Sequence, residues 1–424
     1  MRGENDILEF QEELSPKYEI PAIMEKYDGG PILLFNKVKG KLLSIASGIC
    51  GKRERVLKSI NATKYNYYEK MIDAINNPLK PKIVNSNFEI EEEDLSSLPI
   101  LTHYERDAGP YITSGIVIAK SKFGFQNASI HRLLLLDKKH MAIRIVPRHL
   151  YAIYQEAKKN EEDLKIAIVI GVHPAVLVGV NTSPKYGVDE LWVANRLMNG
   201  ELKVVECKTS DLLVPADAEI LIEGVIKKDE FVDEGPFVDI TGTYDIVRKQ
   251  PVVEIKKVLR RRDAIYYAIL PGGLEHKLLM GMPKEAKMYD AISKIIPEVK
   301  GVRLTIGGCC WFNAIVSIKK QSEGDGKSAI LAAFGSNPSL KHVVVVDEDI
   351  DIDDMNEVEW AIATRFQGDE DLIIVRNARG SSLDPSSDQE RLITCKVGID
   401  ATIPWNKPRE KFEKAKWGNR NVPH

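Results

Sequence analysis

Between residues 111 and 268 the chain returns again and again to short runs of Val and Ile, and few folds hold so many strands in so short a stretch. The runs fall at 111–119, 128–136, 141–146, 165–171, 219–226 and 252–258. β-Branched residues bounded by turn formers are the signature of strands. Helical windows interrupt the series at 149–158 and 188–198. This pattern predicts a mostly antiparallel barrel or sandwich decorated with helices. Single cores seldom grow past ~250 residues, so a chain of 424 residues is expected to form further domains. Residues 1–100 mix helical patterns (6–14, 52–60, 65–75) with a strand at 31–35, and Pro78, Pro81, the acidic run 91–94 and Pro99 mark a linker. A helix at 284–296 is followed by strands (302–306, 342–346) alternating with helices (327–334, 355–365). The expected organisation is α+β, with an N-terminal α/β domain (1–100), a central β domain (101–283) and a C-terminal α/β domain (284–424).

Composition narrows the function classes. The hydrophobic fraction of 44% and charged fraction of 29% suit a soluble globular protein. A net charge of −3 gives no global footprint for nucleic acid, and the basic run Arg260-Arg261-Arg262 reads as a solvated strand end. The five cysteines form no C-x-x-C, which suits free thiols in a reducing compartment. Acidic residues follow Met1 too soon for a secretory signal. The apolar run 166–180 falls short of the ~20 residues of a membrane span and contains His173-Pro174. A cytoplasmic protein without membrane or nucleic-acid partners is expected.

Several motifs fail on their own chemistry. Gly324 to Ser328 resembles the end of a P-loop, but Gln321 stands where that loop needs its first glycine. The acidic ladder 347–353 begins like a calcium loop, yet Ile352 and Val358 occupy the positions of the required glycine and glutamate. There is no G-x-S-x-G, H-E-x-x-H or G-x-G-x-x-G. The vicinal Cys309-Cys310 reads as a pair of buried thiols.

What remains is a constellation of polar residues within the β-rich region. Asn127, Arg132, His149 and Glu190 stand where apolar residues would otherwise be expected, and their amide, imidazole and carboxylate groups suit a divalent ion such as Mn²⁺ or Mg²⁺. Glu234 and Asp239 flank a Gly235-Pro236 turn. Two carboxylates near an arginine and an apolar wall can be split in proton affinity, as proton delivery requires. Residues five apart on a straight strand face opposite ways, so Asn127 and Arg132 converge only if a bulge or turn intervenes.

At these residues the chain resembles the UbiD-type decarboxylases that depend on prenylated flavin mononucleotide. The resemblance runs from about Pro99 to Trp405. Its markers are Gly109-Pro110-Tyr111-Ile112-Thr113-Ser114-Gly115, Asn127 with Arg132, Asp137-Lys138-Lys139, Pro147-Arg148-His149, Val214-Pro215-Ala216, Glu223-Gly224, Glu234-Gly235-Pro236-Phe237, and 396–402. It implies that Asn127, His149 and Glu190 bind a divalent metal, usually manganese, that holds the cofactor phosphate, with a potassium ion near it. It makes Arg132, Glu234 and Asp239 the catalytic arginine and acids. Ile130, His131, Arg132, Ile145, Val146, Arg148, His149 and Lys396 would line the flavin. The implied fold is a flavin-binding split β-barrel between an N-terminal α/β domain and a C-terminal oligomerisation domain. A flavin prenyltransferase would supply the cofactor, and a homo-oligomer built on a dimer is expected.

The implied reaction is loss of CO₂ from a small carboxylic acid. The cofactor acts as electron sink, Arg132 orients the carboxylate, and Asp239 returns the proton. That acid is glutamate in some relatives, so its reach here is one methylene shorter. In its length and in His131, where quinone-pathway members tend to have tyrosine, the chain resembles archaeal members that convert trans-anhydromevalonate 5-phosphate to isopentenyl phosphate. Arg144, Arg148, His276 and Lys277 are candidates for a substrate phosphate. The alternatives are a decarboxylase of 4-hydroxybenzoate-like or prenylated aromatic acids and a non-catalytic flavin-binding protein.

Overall fold

The structure, a computed structural model, describes residues 6–415. The first five residues, which carry most of the stretch argued to lack a secretory signal, lie outside the described residues. Two compact units result, one running to Lys284 and one beginning at Glu285.

The first unit is built on a nine-stranded sheet. Its order is Tyr111–Ile112, Leu133–Leu135, His140–Ile143, Arg248–Arg260, Ile220–Glu234, Leu164–Ile170, Ile116–Lys120 and Gln126–Ile130, with Ile90–Glu92 also paired to Arg248–Arg260. Every neighbouring pair is antiparallel. Leu133–Leu135 is second in this order and Gln126–Ile130 is last, six spacings apart or about 29 Å in a flat sheet. Only His131 and Arg132 join them, and three Cα steps span about 11 Å. The sheet must therefore curl until its two ends meet, which produces the expected split barrel. The sequence read 128–136 as one continuous strand; the chain breaks it at 131–132 because the two halves belong to opposite ends of the sheet.

A second sheet in this unit has the order Ile7–Leu14, Ile32–Val38, Ser44–Ser47 and Ile265–Tyr267. Residues 6–14, expected as helix from the spacing of Ile7, Phe10 and Leu14, form instead a strand parallel to Ile32–Val38. Phe10 stacks on Phe35 with ring centroids 4.9 Å apart. That pairing outweighs the local periodicity. The expected linker contributes Lys82–Ile83 and Ile90–Glu92 as strands, and its acids pair with the basic run: Glu92 with Arg260 and Glu89 with Arg262.

Helices His149–Lys159 and Glu190–Leu197 start close to their expected positions. Helix Pro174–Val180 packs on Glu190–Leu197 so closely that a Cβ on Gly179 would lie 2.6 Å from Ala194 Cβ and 2.7 Å from its Cα. Helix Leu274–Ser293 begins ten residues before its expected start and continues through Pro283.

The second unit holds a five-stranded sheet, ordered Val299–Leu304, Asn313–Ile318, His342–Asp347, Ile393–Ala401 and Leu372–Arg379, with helices Asp325–Ser336 and Met355–Arg365. The acidic ladder serves an ion pair here: fully buried Arg365 donates to Asp347 Oδ2 at 2.9 Å and to Asp349 Oδ2 at 2.7 Å. Of the vicinal thiols, Cys310 is buried and Cys309 half-buried, and neither is in a disulfide. Among the described residues no helix is long and apolar enough to cross a membrane.

The Gly179 contact yields a test. Gly179→Val should destabilise the first unit by about 1–3 kcal/mol through overpacking, read as a lowered urea midpoint. Gly335→Ala, in a helix where an added methyl meets nothing within 4 Å, should leave the midpoint unchanged or raise it.

Candidate active site

The curl that joins the sheet ends also frees Arg132 from strand alternation, because it lies between Gln126–Ile130 and Leu133–Leu135 rather than within either. Its guanidinium is largely buried and meets three acids. Nε and Nη2 donate to Glu234 Oε1 and Oε2 at 2.9 and 2.8 Å, a bidentate pair. Nη1 donates to Asp239 Oδ2 at 3.0 Å and Nη2 to Asp245 Oδ2 at 3.1 Å. Burial opposes its charge, but the hydrogen bonds to Glu234 and the charges of all three acids outweigh burial and raise its pKa.

Each acid is positioned by a distinct local device. Glu234 closes the long strand Ile220–Glu234, opposite Arg248 on its partner, and is fully buried. It also accepts the Tyr111 hydroxyl at 3.1 Å. Burial and the Glu234 charge push that phenol well above its ordinary range. Gly235, at φ +100°, and cis Pro236 then turn the chain into the small ribbon of Phe237–Val238 and Tyr244–Asp245. Asp239 and Asp245 sit at the ends of those two strands, so the tight ribbon presents both acids to one arginine. The Phe237 ring lies under Arg132 at 4.9 Å and packs against the Tyr111 ring with centroids 4.3 Å apart. An apolar wall thus backs the charge cluster, with Leu134 and Ala142 behind it.

Asp245 was not singled out from the sequence. It also accepts from Arg248 Nη1 and lies 3.9 Å from Arg144 Nε. Burial works to raise its pKa, but the Arg248 hydrogen bond and the charges of Arg132, Arg248 and Arg144 hold it below the usual carboxylate range. Its only sequence signal is its place at the close of the polar stretch Asp239-Ile240-Thr241-Gly242-Thr243-Tyr244-Asp245.

The three expected metal ligands converge on a second point. Asn127 lies on strand Gln126–Ile130, while His149 and Glu190 are each the first residue of a helix. Glu190 Oε1 is 2.9 Å from the Asn127 amide nitrogen and 3.2 Å from His149 Nδ1, and Glu190 Oε2 accepts the Ala128 N–H at 2.8 Å. The amide nitrogen of Asn127 is not a ligand atom, but with its oxygen turned inward the amide would join an imidazole and a carboxylate in a donor set of the kind a hard divalent cation takes. The Tyr186 ring packs edge-on against His149, with centroids 5.4 Å apart. Asp189 caps the Glu190 helix through the Leu191 N–H, and burial pushes its carboxyl up to about 7.

The residues expected around a flavin are distributed as follows. His131 holds Nδ1 2.9 Å from the Arg144 carbonyl, and desolvation pushes its imidazole down to about 4. Ile130 and Val146 are half-buried, Ile145 is buried, and Arg148 is exposed just before helix His149–Lys159. Lys396 belongs to the second unit, where it is buried and its ammonium donates to the Pro338 and Leu340 carbonyls. Among the residues considered for a substrate phosphate, His276 accepts the Gly272 N–H at 3.1 Å through Nδ1, and Lys277 is half-buried.

The models of the 3-octaprenyl-4-hydroxybenzoate carboxy-lyase family match in three parts: the N-terminal domain over residues 1–75, the Rift-related domain over 78–274 and the C-terminal domain over 277–401. The anhydromevalonate phosphate decarboxylase of Methanocaldococcus jannaschii is 50% identical over 411 residues, covering 94% of this chain and 95% of that protein. Its namesake from Methanothermobacter thermautotrophicus is 46% identical over 412 residues, 96% of each. The UbiD-class enzyme HmfF from Pelotomaculum thermopropionicum, solved in complex with FMN, superposes with a TM-score of 0.95 at 41% identity, covering 97% of this chain and 94% of that one. An evolved dimeric form of HmfF, in complex with prFMN, superposes with a TM-score of 0.89 at 38% identity, covering 99% and 94%. The arginine ringed by acids therefore belongs to a carboxy-lyase: the chain is a member of the UbiD family of decarboxylases.

Proposed function

We propose that the chain is a prenylated-FMN-dependent decarboxylase that converts trans-anhydromevalonate 5-phosphate to isopentenyl phosphate and CO₂. The observation that carries this reading is Arg132 held by Glu234, Asp239 and Asp245, in a chain whose archaeal relatives are named for that activity. Loss of CO₂ from an sp² carbon leaves an electron pair with no internal sink, and the prenylated flavin, when bound, supplies one. Asn127, His149 and Glu190 would hold the Mn²⁺ that grips its phosphate, with K⁺ beside it, and Ile130 to Arg132 and Ile145 to Arg148 would line it.

The protein's own groups bind the substrate and move the proton. Four N–H bonds of Arg132 are taken by the acids out of the five that a guanidinium carries. The fifth, on Nη1 beside Asp239, is open to a substrate carboxylate. Of the three acids, Asp239 is the most accessible, with 19% of its side chain exposed against 0% for Glu234 and 8% for Asp245. Asp239, the acid that solvent can protonate, therefore delivers the proton to the carbon that loses CO₂ and regains one from water before the next turnover, while Glu234 fixes the guanidinium. A flavin prenyltransferase supplies the cofactor, and the enzyme works in the cytoplasm as a homo-oligomer built on a dimer.

CO₂ release is the direct measurement, with protein co-produced with a flavin prenyltransferase and supplied with Mn²⁺ and K⁺. Turnover of trans-anhydromevalonate 5-phosphate is expected, and none of 4-hydroxybenzoate. The reverse preference would move the chain to aromatic acids. Glu234→Gln and Asp239→Asn should each lower the rate by about 10²–10⁴-fold; full activity in both would return the reading to a non-catalytic flavin-binding protein.

Asp245 supplies a second test, through stability. Because its folded pKa is depressed, its contribution is complete above the unfolded value of ~3.9 and is lost as pH falls through the lower folded value. Urea titrations between pH 6 and pH 3, as about two ends of the range, should show the parent losing stability more steeply in acid than Asp245→Asn. Parallel curves would mean that the Asp245 charge contributes nothing to folding.

A further inference from the structure

Asn127, Ser129 and His131 are spaced two apart, at and just beyond the strand Gln126–Ile130, so their side chains share one face of the sheet. They form a continuous polar chain. The Arg144 carbonyl is 2.9 Å from His131 Nδ1, His131 Nε2 is 2.9 Å from Ser129 Oγ, and Ser129 Oγ is 3.2 Å from Asn127 Oδ1. The amide nitrogen at the other end of that side chain donates to Glu190 Oε1 at 2.9 Å.

The hydrogens along this chain follow from which groups can donate. A carbonyl only accepts, so Nδ1 of His131 carries the ring proton and Nε2 of the neutral imidazole accepts. The one hydroxyl hydrogen of Ser129 then goes to Nε2, and Ser129 presents a lone pair to Asn127. A lone pair is matched by the amide NH₂ and not by its oxygen, and the two ends of a side-chain amide are assigned by such surroundings. With NH₂ turned to Ser129, the amide oxygen faces Glu190 Oε1. Two acceptor oxygens 2.9 Å apart repel unless a cation lies against both. The structure holds the opposite setting, in which Asn127 Nδ2 donates to Glu190 Oε1 and Ser129 Oγ donates to Asn127 Oδ1; this satisfies Glu190 but takes the Ser129 hydrogen away from His131, leaving Nε2 without its partner. The relay therefore favours the amide setting that a metal needs.

We propose that Ser129 and His131 are positioning residues that hold the Asn127 amide oxygen toward a divalent cation shared with Glu190 and His149. This rests on the reading of those three residues as metal ligands. Outer partners of metal ligands fix ligand orientation in this way and commonly account for 10–100-fold in affinity, as a rough range.

Mn²⁺ binding, and not turnover, is the test. Mn²⁺ is titrated into the purified full-length chain loaded with FMN, and the free ion is followed by its electron paramagnetic resonance signal. The parent is expected to bind the ion, and Ser129→Ala to bind it about tenfold to a hundredfold more weakly with FMN retained. Asn127→Asp presents an oxygen at both ends of the side chain and needs no orienting. In that background Ser129→Ala should cost no more than about twofold further. Unchanged affinity in the single Ser129→Ala variant overturns the proposal. So does an equal loss in the Asn127→Asp background, which would assign Ser129 a packing role. A parent that binds no Mn²⁺ removes the metal reading itself, and the proposal with it.

Discussion

A two-residue bridge between strands at opposite ends of one sheet governs this molecule. His131 and Arg132 have to span a gap that a flat sheet would set at about 29 Å, and they succeed only because the sheet curls. The curl brings Tyr111, on the first strand of the order, into the region where Glu234 ends a central strand. The bridge itself becomes the place where chemistry is concentrated, since Arg132 reaches the acid cluster and His131 touches the polar chain leading to Asn127. Closure of the sheet and placement of the arginine are thus the same geometric event.

The charge cluster explains how an arginine can be both buried and useful. Glu234, Asp239 and Asp245 face Arg132, Arg144 and Arg248, so the acids and bases are equal in number. A buried charge without such partners would be strongly unfavourable. Because the cluster is balanced, its own acids hold the guanidinium in a fixed orientation, and a preorganised group of this kind needs little rearrangement to meet a further charge. The Tyr111 and Phe237 rings exclude water from one side, which strengthens each interaction inside.

Much of this was legible in the residues, and the parts that were not share a cause. The Val and Ile runs disclosed the β-rich unit because period-two burial is local. The Gly235-Pro236 turn disclosed the acid pair for the same reason. Residues 6–14 were misread because Ile7, Phe10 and Leu14 satisfy a helical spacing, while the deciding contact, Phe10 on Phe35, lies 25 positions away in the chain. The break at 131–132 was invisible because nothing local distinguishes it; only the closure of the sheet requires it. Asp245 escaped notice because the arginine that gives it meaning is 113 residues distant. Asn127, His149 and Glu190 were recognisable by chemistry, but their convergence depends on two helices, one starting on His149 and one on Glu190.

The strand Gln126–Ile130 ends the order of its sheet, paired on one side to Ile116–Lys120. Asn127, Ser129 and His131 all depend on that single register. A slip by one residue would turn all three to the opposite face together, presenting Ala128 and Ile130 in their place. The side chain of Gln126, which accepts the Leu213 N–H and donates to its carbonyl, acts as a latch against that slip. In evolutionary terms the segment behaves as an indivisible unit: substitutions can be accepted one at a time, but a single-residue insertion or deletion between Gln126 and His131 displaces the face of Asn127, Ser129 and His131 and the placement of Arg132 in one step.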